Sequence, residues 1–207
     1  RVTTDRGDYV LRKQPPGPIA RSAHAVDREY RVLSALQNTD VPVPTPVCFE
    51  DDASIIGTPF YLMEAVVGEV FEQASMPGLS SDRRRACYLS MAETMARMHR
   101  LDWSGAGLDG YGLPGNYFAR QLSRWSRYWR EEAYRVNPAL DELIAWLEAN
   151  PQPDDMATLC HGDLKLNNFI FDVERGQVAA VIDWELSTIG HPFADAAFNC
   201  MAFNTTS

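Results

Sequence analysis

The alternation of apolar and polar positions predicts strands and one helix in the first 66 residues, and mainly helices from residue 69 onward. Asp5-Arg6-Gly7-Asp8 is a turn signal, and Tyr9-Val10-Leu11-Arg12 behind it alternates as a strand, with Arg1-Val2-Thr3-Thr4 as the end of its hairpin partner. Pro15, Pro16, Gly17 and Pro18 predict a rigid loop, after which Ser22 caps a helix carrying Val26, Tyr30, Leu33 and Leu36 on one face. Val41-Pro42-Val43-Pro44 must be extended, because each proline restricts the residue before it. Strands at 47–50 and 60–66 follow, joined by a turn containing Asp51, Asp52 and Gly57. The first part therefore reads as a small sheet with one helix packed on it.

In the second part, Ser81 is the expected cap of a helix with Tyr88, Met91, Met95 and Met98 on one face, a methionine stripe at core spacing. Asn116 opens a second helix with Phe118, Leu122, Trp125, Trp129 and Ala133 inward. Asn137-Pro138 starts a third, its cap followed by proline at the first helical position, with Leu140, Leu143, Ile144 and Leu147 as its stripe and Asn150-Pro151 as its end. Strands at 168–172 and 178–183 flank the Glu174-Arg175-Gly176 turn and predict a hairpin. The fold class is α+β.

Composition narrows the function classes. The 207 residues are 45% hydrophobic and 23% charged, ordinary for a globular chain, with a net charge of −9. That sign argues against nucleic-acid binding, which needs a basic face. No apolar run is long enough for a membrane span, no signal peptide opens the sequence, and the four dispersed cysteines form no CxxC pair. These features predict reduced thiols and a cytoplasmic setting, with no membrane partner. Up to residue 100 there are 12 basic and 13 acidic residues; beyond it, 7 and 15, so the acidity belongs to the second half. Only two of the basic residues are lysines, Lys13 and Lys165.

The densest polar cluster is His161-Gly162-Asp163-Leu164-Lys165-Leu166-Asn167-Asn168. Fifteen residues past Asn168, at the end of the second hairpin strand, stands Asp183. A hairpin returns the chain close to its start, so Asn168 and Asp183 are expected to be neighbours. Two such oxygen donors suit a hard cation, Mg²⁺, shared with substrate phosphates. Asp163, five residues before Asn168 across a loop, is placed to accept the proton of an alcohol, the general-base role in phosphoryl transfer.

His161-x-Asp163-Leu164-Lys165-x-x-Asn168 resembles the catalytic loop of the protein-kinase-like fold, in the His-Gly-Asp form of the aminoglycoside/choline phosphotransferase superfamily. Ile182-Asp183-Trp184-Glu185 resembles that superfamily's metal-binding motif. The longer stretches from Asp183 to Pro192 and from Tyr9 to Gly17 are similar to the kinase-like domain fused to some acyl-CoA dehydrogenases and to its stand-alone bacterial relatives. The resemblance implies a bilobal fold, with a small N-lobe at 1–66 and a helical C-lobe at 67–207. It also implies a phosphate-covering loop before residue 1 and further acceptor-shaping helices after residue 207.

Within that frame, Arg12 shares the face of Val10 and would hold ATP phosphates, with Glu29 on the following helix as its partner. The family commonly has lysine there, and Arg is no neutral exchange for it. Lys13 would point to the opposite face. Met63-Glu64-Ala65-Val66-Val67-Gly68 resembles the interlobe hinge, which implies that the Glu64 carbonyl and Val66 N–H meet adenine. Lys165 would steady the transferring phosphate, His161 would brace the loop, and Asp195 resembles an acidic residue that steadies it from behind. Glu185 is open between a second metal and a solvated or substrate-facing carboxylate, and His24, His99 and His191 have no partner pattern.

The expectation is a Mg²⁺- and ATP-dependent small-molecule phosphotransferase with a hydroxyl acceptor, a hydroxyacyl or hydroxy acid or an aminoglycoside-like molecule. The alternative is a nucleotide-binding pseudokinase or regulatory module without turnover. A metallohydrolase reading fails because only His161 lies near the carboxylates in sequence, and no flavin or dehydrogenase pattern is visible. Oligomeric state is left open.

Overall fold

The computed structural model describes residues 1–14, 26–132, 135–152 and 156–204. The expected loop at 15–18, the Ser22 cap, His24 and Ala133 lie outside the described residues.

Four antiparallel strands, β1 (Val2–Thr4), β2 (Gly7–Lys13), β3 (Pro46–Glu50) and β4 (Phe60–Glu64), form a sheet in the order β1-β2-β4-β3. The β2–β4 register sets Arg12 opposite Tyr61 and Val10 opposite Met63. Since strand side chains alternate between faces, this puts Arg12 with Tyr61 on the side covered by helix α1 (Val26–Leu36). α1 buries Glu29, Val32, Leu33 and Leu36, and its Tyr30 ring lies 5.7 Å from Phe49 and 5.9 Å from Tyr61. Lys13 is exposed. The expected turn at 51–57 contains a single helical turn, α2 (Ala53–Ile56), whose first turn is capped by the Asp52 carboxylate accepting from Ser54 N at 2.8 Å. β4 ends at Glu64, two residues earlier than the apolar run implies.

Past the sheet, Glu69 pairs with Phe171 through hydrogen bonds of 2.9 and 2.8 Å, fixing the connecting segment against the later hairpin. Gly68 permits this approach: a Cβ there would sit 2.6 Å from the Phe171 carbonyl oxygen.

Helix α3 (Ser81–His99) buries Cys87, Met91, Thr94 and Met98, with Tyr88 and Met95 packed alongside, so the methionine stripe is core. Its cap is Ser80 rather than Ser81: Ser80 is the extended residue, and its hydroxyl reaches Arg83 N at 3.3 Å. Helix α4 (Tyr117–Glu132) departs further from expectation. Trp125 faces outward, 56% exposed, and the buried position is Ser126. Of the stripe on α5 (Pro138–Ala149), Ile144 is the buried residue, and Trp129 of α4 is half-buried, its indole donating to Asp141 at 2.8 Å. Leu143 on α5 is exposed. α5 begins at Asn137-Pro138 and ends at Asn150 as the sequence implies, although the Asn137 side chain makes no cap bond.

Strands β5 (Thr158–Cys160), β6 (Phe169–Asp172), β7 (Gln177–Val181) and β8 (Thr188–Gly190) and helix α6 (Phe193–Asn204) complete the chain. β6–β7 is the expected hairpin, while β5–β8 is a second two-stranded pair with no counterpart in the sequence reading. Three residues are too few to display a period of two, and α6 is opened not by a Ser, Thr, Asp or Asn cap but by His191, whose Nδ1 accepts from Phe193 N at 3.2 Å. Trp184, Phe169, Phe171, Leu159 and Leu164 are fully buried beneath these strands. The four cysteines are free, and no helix among the described residues is long and apolar enough to cross a membrane.

Candidate active site

β5 and β8 carry the segments that flank the polar cluster. His161, directly after β5, is fully buried. Its Nε2 lies 2.9 Å from the Ile182 carbonyl, an acceptor only, so Nε2 carries the proton; Nδ1 then accepts from Asp163 N at 3.3 Å. Burial pushes the imidazole pKa down, which suits this neutral tautomer, and the ring packs 4.8 Å from Trp184. One side chain thus ties the loop at 161–168 to the segment at 182–184. At Gly162 the backbone has φ +83° and a Cβ would lie 2.5 Å from the Leu186 carbonyl oxygen, so only glycine lets the two segments touch.

Asp195, in the first turn of α6 and 1% exposed, accepts from His161 N at 2.8 Å with one oxygen and from Gly162 N at 2.9 Å with the other. The bracing role that the resemblance implies for it matches this geometry. His99, which the sequence left without a partner, sits with Nε2 3.1 Å from Asp195 Oδ2. Its partner is 96 residues away, beyond any local pattern.

Inside the loop, Asn168 donates from Nδ2 to the Asp163 carbonyl at 2.7 Å and to its Oδ2 at 3.2 Å. Lys165 Nζ is 3.0 Å from the same Oδ2, a hydrogen bond that raises the lysine's pKa. With its amide nitrogen committed to Asp163, Asn168 keeps its amide oxygen as the donor atom for a cation. Ile182 N donates to the Asn168 carbonyl at 3.0 Å, which brings Asp183 beside Asn168 as the hairpin argument requires. Asp183 itself has φ 69° and ψ 55°, the left-handed region that non-glycine residues seldom occupy.

Arg12 faces both carboxylates of the cleft. Its Nη2 is 2.7 Å from Asp183 Oδ1 and 3.2 Å from Glu29 Oε1, and its Nε is 3.3 Å from Glu29 Oε2. Burial works against the guanidinium charge most strongly, but Glu29, Tyr61 and Asp183 together outweigh it, so its pKa rises. Burial pushes the Glu29 carboxyl up, opposed by Arg12. The Tyr61 hydroxyl lies buried against this pair without a well-formed hydrogen bond.

Arg12, Glu29, Glu64, Val66, Asn168 and Asp183 line one cleft of about 340 Å³ between the sheet and the hairpin. Asp163 and Lys165 are not among its lining residues, but Asp163 is bonded to Asn168 and Lys165 to Asp163. All eight sequence-derived candidates are therefore brought together. A larger groove of about 1050 Å³ lies between α4 and α5 and contains none of them. Glu185 is half-buried in the short 3₁₀ turn after Asp183, and His191 packs between Phe118 and Phe193.

The sequence reading also missed Arg28, Tyr111 and Ser187. Arg28 Nη2 donates to the carbonyls of Tyr111 at 3.0 Å and Ser187 at 3.3 Å. No spacing signals such a reach.

Residues 1–206 match the family described as "Phosphotransferase enzyme family". Acyl-CoA dehydrogenase family member 10 of Mus musculus is 45% identical over 194 residues, covering 94% of this chain and 18% of that protein. Acyl-CoA dehydrogenase family member 11 of Rattus norvegicus is 47% identical over 190 residues, covering 91% of this chain and 24% of that protein. The chain thus spans about a fifth to a quarter of the length of these relatives. A Ralstonia eutropha JMP134 crystal structure assigned as an aminoglycoside phosphotransferase superposes with a TM-score of 0.89 at 40% identity, over 99% of this chain and 60% of that one. The GDP and kanamycin complex of the aminoglycoside phosphotransferase APH(2")-IIIa superposes with a TM-score of 0.69 at 18% identity, over 94% and 66%. The fold is the kinase-like α+β bilobal one, and the relatives are the acyl-CoA dehydrogenase family members that the motifs pointed to. By sequence along nearly its whole length, this chain belongs to the phosphotransferase enzyme family.

Proposed function

We propose that the chain transfers the γ-phosphate of ATP, bound with Mg²⁺, to a hydroxyl group of a small molecule. The observation that carries this reading is the convergence of Asn168 and Asp183 with the Arg12–Glu29 pair at one cleft, with Asp163 bonded to Asn168 beside it. In this reading residues 1–66 form the nucleotide-side lobe, with the Glu64 carbonyl and Val66 N–H offering an acceptor and a donor to adenine. Residues 67–207 carry the base and the acceptor side.

Asp163 takes the hydroxyl proton as the acceptor oxygen bonds to the γ-phosphorus and the bond to the bridging oxygen breaks, leaving ADP and a phosphate ester. Asn168 holds Asp163 by two hydrogen bonds, and Lys165 meets the charge that develops on the transferring group. Asn168 and Asp183 fit a hard cation as oxygen donors. Bound Mg²⁺ supplies charge neutralisation across the phosphates. Arg12, oriented by Glu29, binds the remaining phosphate charge.

Hydroxy acids and hydroxyacyl thioesters lead as acceptors, because relatives 45% and 47% identical over nine tenths of the chain carry acyl-CoA names. Aminoglycosides are the competing class, supported by the 40%-identical bacterial structure. The test is ATP consumption with product detection across hydroxyacyl-CoA, hydroxy acids, choline and aminoglycosides. Asp163→Asn is expected to lower turnover about 10²–10⁴-fold while nucleotide binding persists. Turnover unchanged by that substitution would sink the mechanism. Mg²⁺·ATP binding with no acceptor turned over would favour a nucleotide-binding module instead.

A further inference from the structure

Glu29 and Asp183 meet at Arg12 on the cleft side, and they are linked a second time on the far side of α1. Arg28, adjacent to Glu29, extends from α1 over Tyr111, with its guanidinium carbon 4.1 Å from the ring centre. Its Nη2 bonds the main-chain carbonyls of Tyr111 and Ser187, at 3.0 and 3.3 Å. Tyr111 is 2% exposed and Ser187 3%.

The hydroxyls continue the path. Ser187 Oγ bonds the Trp184 carbonyl, which can only accept, so Ser187 spends its one proton there. Tyr111 must then be the donor in its 2.6 Å hydrogen bond to Ser187 Oγ. Ser187 N also donates to the Trp184 carbonyl at 3.0 Å. The turn that begins directly after Asp183 is closed by these contacts, and Arg28 fastens the closed turn to the helix that carries Glu29. Arg31, one turn further along α1, bonds the carbonyls of Gly107 and Asp109, at 3.0 and 2.7 Å, and its guanidinium carbon lies 5.7 Å from the Tyr111 ring centre, but among the described residues it has no hydrogen bond to the Tyr111 carbonyl or to the 184–187 turn.

We propose that Arg28, through Tyr111 and Ser187, is a positioning residue that fixes α1 and the 184–187 turn at the spacing where Glu29, Arg12 and Asp183 receive a nucleotide's phosphates and their cation. The inference rests on the phosphotransferase reading. A guanidinium is suited to the task because one planar group stacks on a ring face while its N–H groups bond carbonyls in the plane; an ammonium cannot do both. Arg28 is itself only partly buried and its bonds go to neutral carbonyls, so its loss strands no buried charge and a folded variant is expected.

The experiment uses the purified chain with Arg28→Gln, Arg28→Lys, Tyr111→Phe, the Arg28→Gln/Tyr111→Phe double variant and Arg31→Gln. Mg²⁺·ATP affinity by calorimetry, the Mg²⁺ concentration giving half-maximal binding, and the melting temperature are measured together. Arg28→Gln should weaken Mg²⁺·ATP about tenfold and raise the Mg²⁺ requirement, with Arg28→Lys in between. Tyr111→Phe, which keeps the ring stack, should weaken binding about threefold, and the double variant should bind no worse than Arg28→Gln because both act along one path. Arg31→Gln should lower the melting temperature with affinity within about twofold of the parent. Affinity loss equal in Arg31→Gln and Arg28→Gln, or a melting-temperature loss alone in Arg28→Gln, overturns the positioning role. A parent chain that does not bind Mg²⁺·ATP overturns the phosphotransferase reading itself, a failure visible before any variant is compared.

Discussion

Arg12 and Asp183 are 171 residues apart in sequence, and their side chains meet at 2.7 Å. Arg12 also bonds Glu29, so a single guanidinium satisfies a buried carboxylate and a partly exposed one. Glu29 is nearly inaccessible and would be costly to leave alone; Asp183 keeps about a third of its side chain exposed. The two contacts therefore differ in permanence. The Arg12–Glu29 pair is the fixed half, and the Arg12–Asp183 contact is the half that an incoming cation and phosphate would replace.

Asp183→Asn should abolish Mg²⁺-dependent nucleotide binding at little cost to the fold. A partly exposed ion pair contributes little, about 1 kcal/mol, and Asn is among the residues that tolerate the left-handed backbone Asp183 adopts. Glu29→Ala should be the opposite case. It leaves Arg12, about a third exposed, with Asp183 as its remaining carboxylate partner, and the loss of the buried charge-assisted contacts should lower stability by about 1–3 kcal/mol. Chemical denaturation of both variants beside a metal-dependent binding assay checks the contrast.

Asp195→Asn should disable the loop without touching the cleft. Both carboxylate oxygens accept backbone N–H groups, from His161 and Gly162, so an amide must turn its NH₂ toward one of those donors. The buried mismatch should cost about 1–3 kcal/mol and lower turnover far more than it raises the KM for ATP. Equal effects on turnover and KM would mean that the loop's brace does not reach Asp163.

The chemistry was legible in the sequence where it is local, and opaque where it depends on packing. His161 through Asn168 forms one short loop, and a hairpin joins Asn168 to Asp183, so spacing alone brought together the proposed base and the proposed cation donors. Arg12 and Glu29 were legible only within the frame of the resemblance, with strand alternation choosing Arg12 over Lys13. His99, Arg28 and Tyr111 were not, because their partners are contributed by distant segments and their own neighbours show no pattern. Trp125 misled for a related reason. Helical spacing shows which residues share a face, but not how much of that face another element covers, and α5 leaves Trp125 open.

Tyr61→Phe isolates a hydroxyl whose energetic role the geometry defines. The phenol is fully buried beside Arg12 and Glu29, yet makes no well-formed hydrogen bond. Removing an unsatisfied buried hydroxyl while keeping the ring is expected to leave stability unchanged or raise it by up to about 1 kcal/mol. A loss greater than that would show that the hydroxyl is bonded to Glu29.

His161 gives stability a pH dependence whose sign follows from its burial. Its folded-state pKa lies below the usual 6.5, so the unfolded chain takes up the proton first as the pH falls. Above about 6.5 both states are neutral and the full stability is present; below it, stability declines until the folded-state pKa is passed, by at most about 1.4 kcal/mol per pH unit. Protonation also removes the Nδ1 lone pair that accepts from Asp163 N, so the loop should loosen in the same window. His161→Asn offers neither titration, and its urea midpoint should lose this component of the slope between pH 6.5 and 5. A slope identical to that of the parent chain would assign the acid sensitivity to other groups and leave His161 as packing alone.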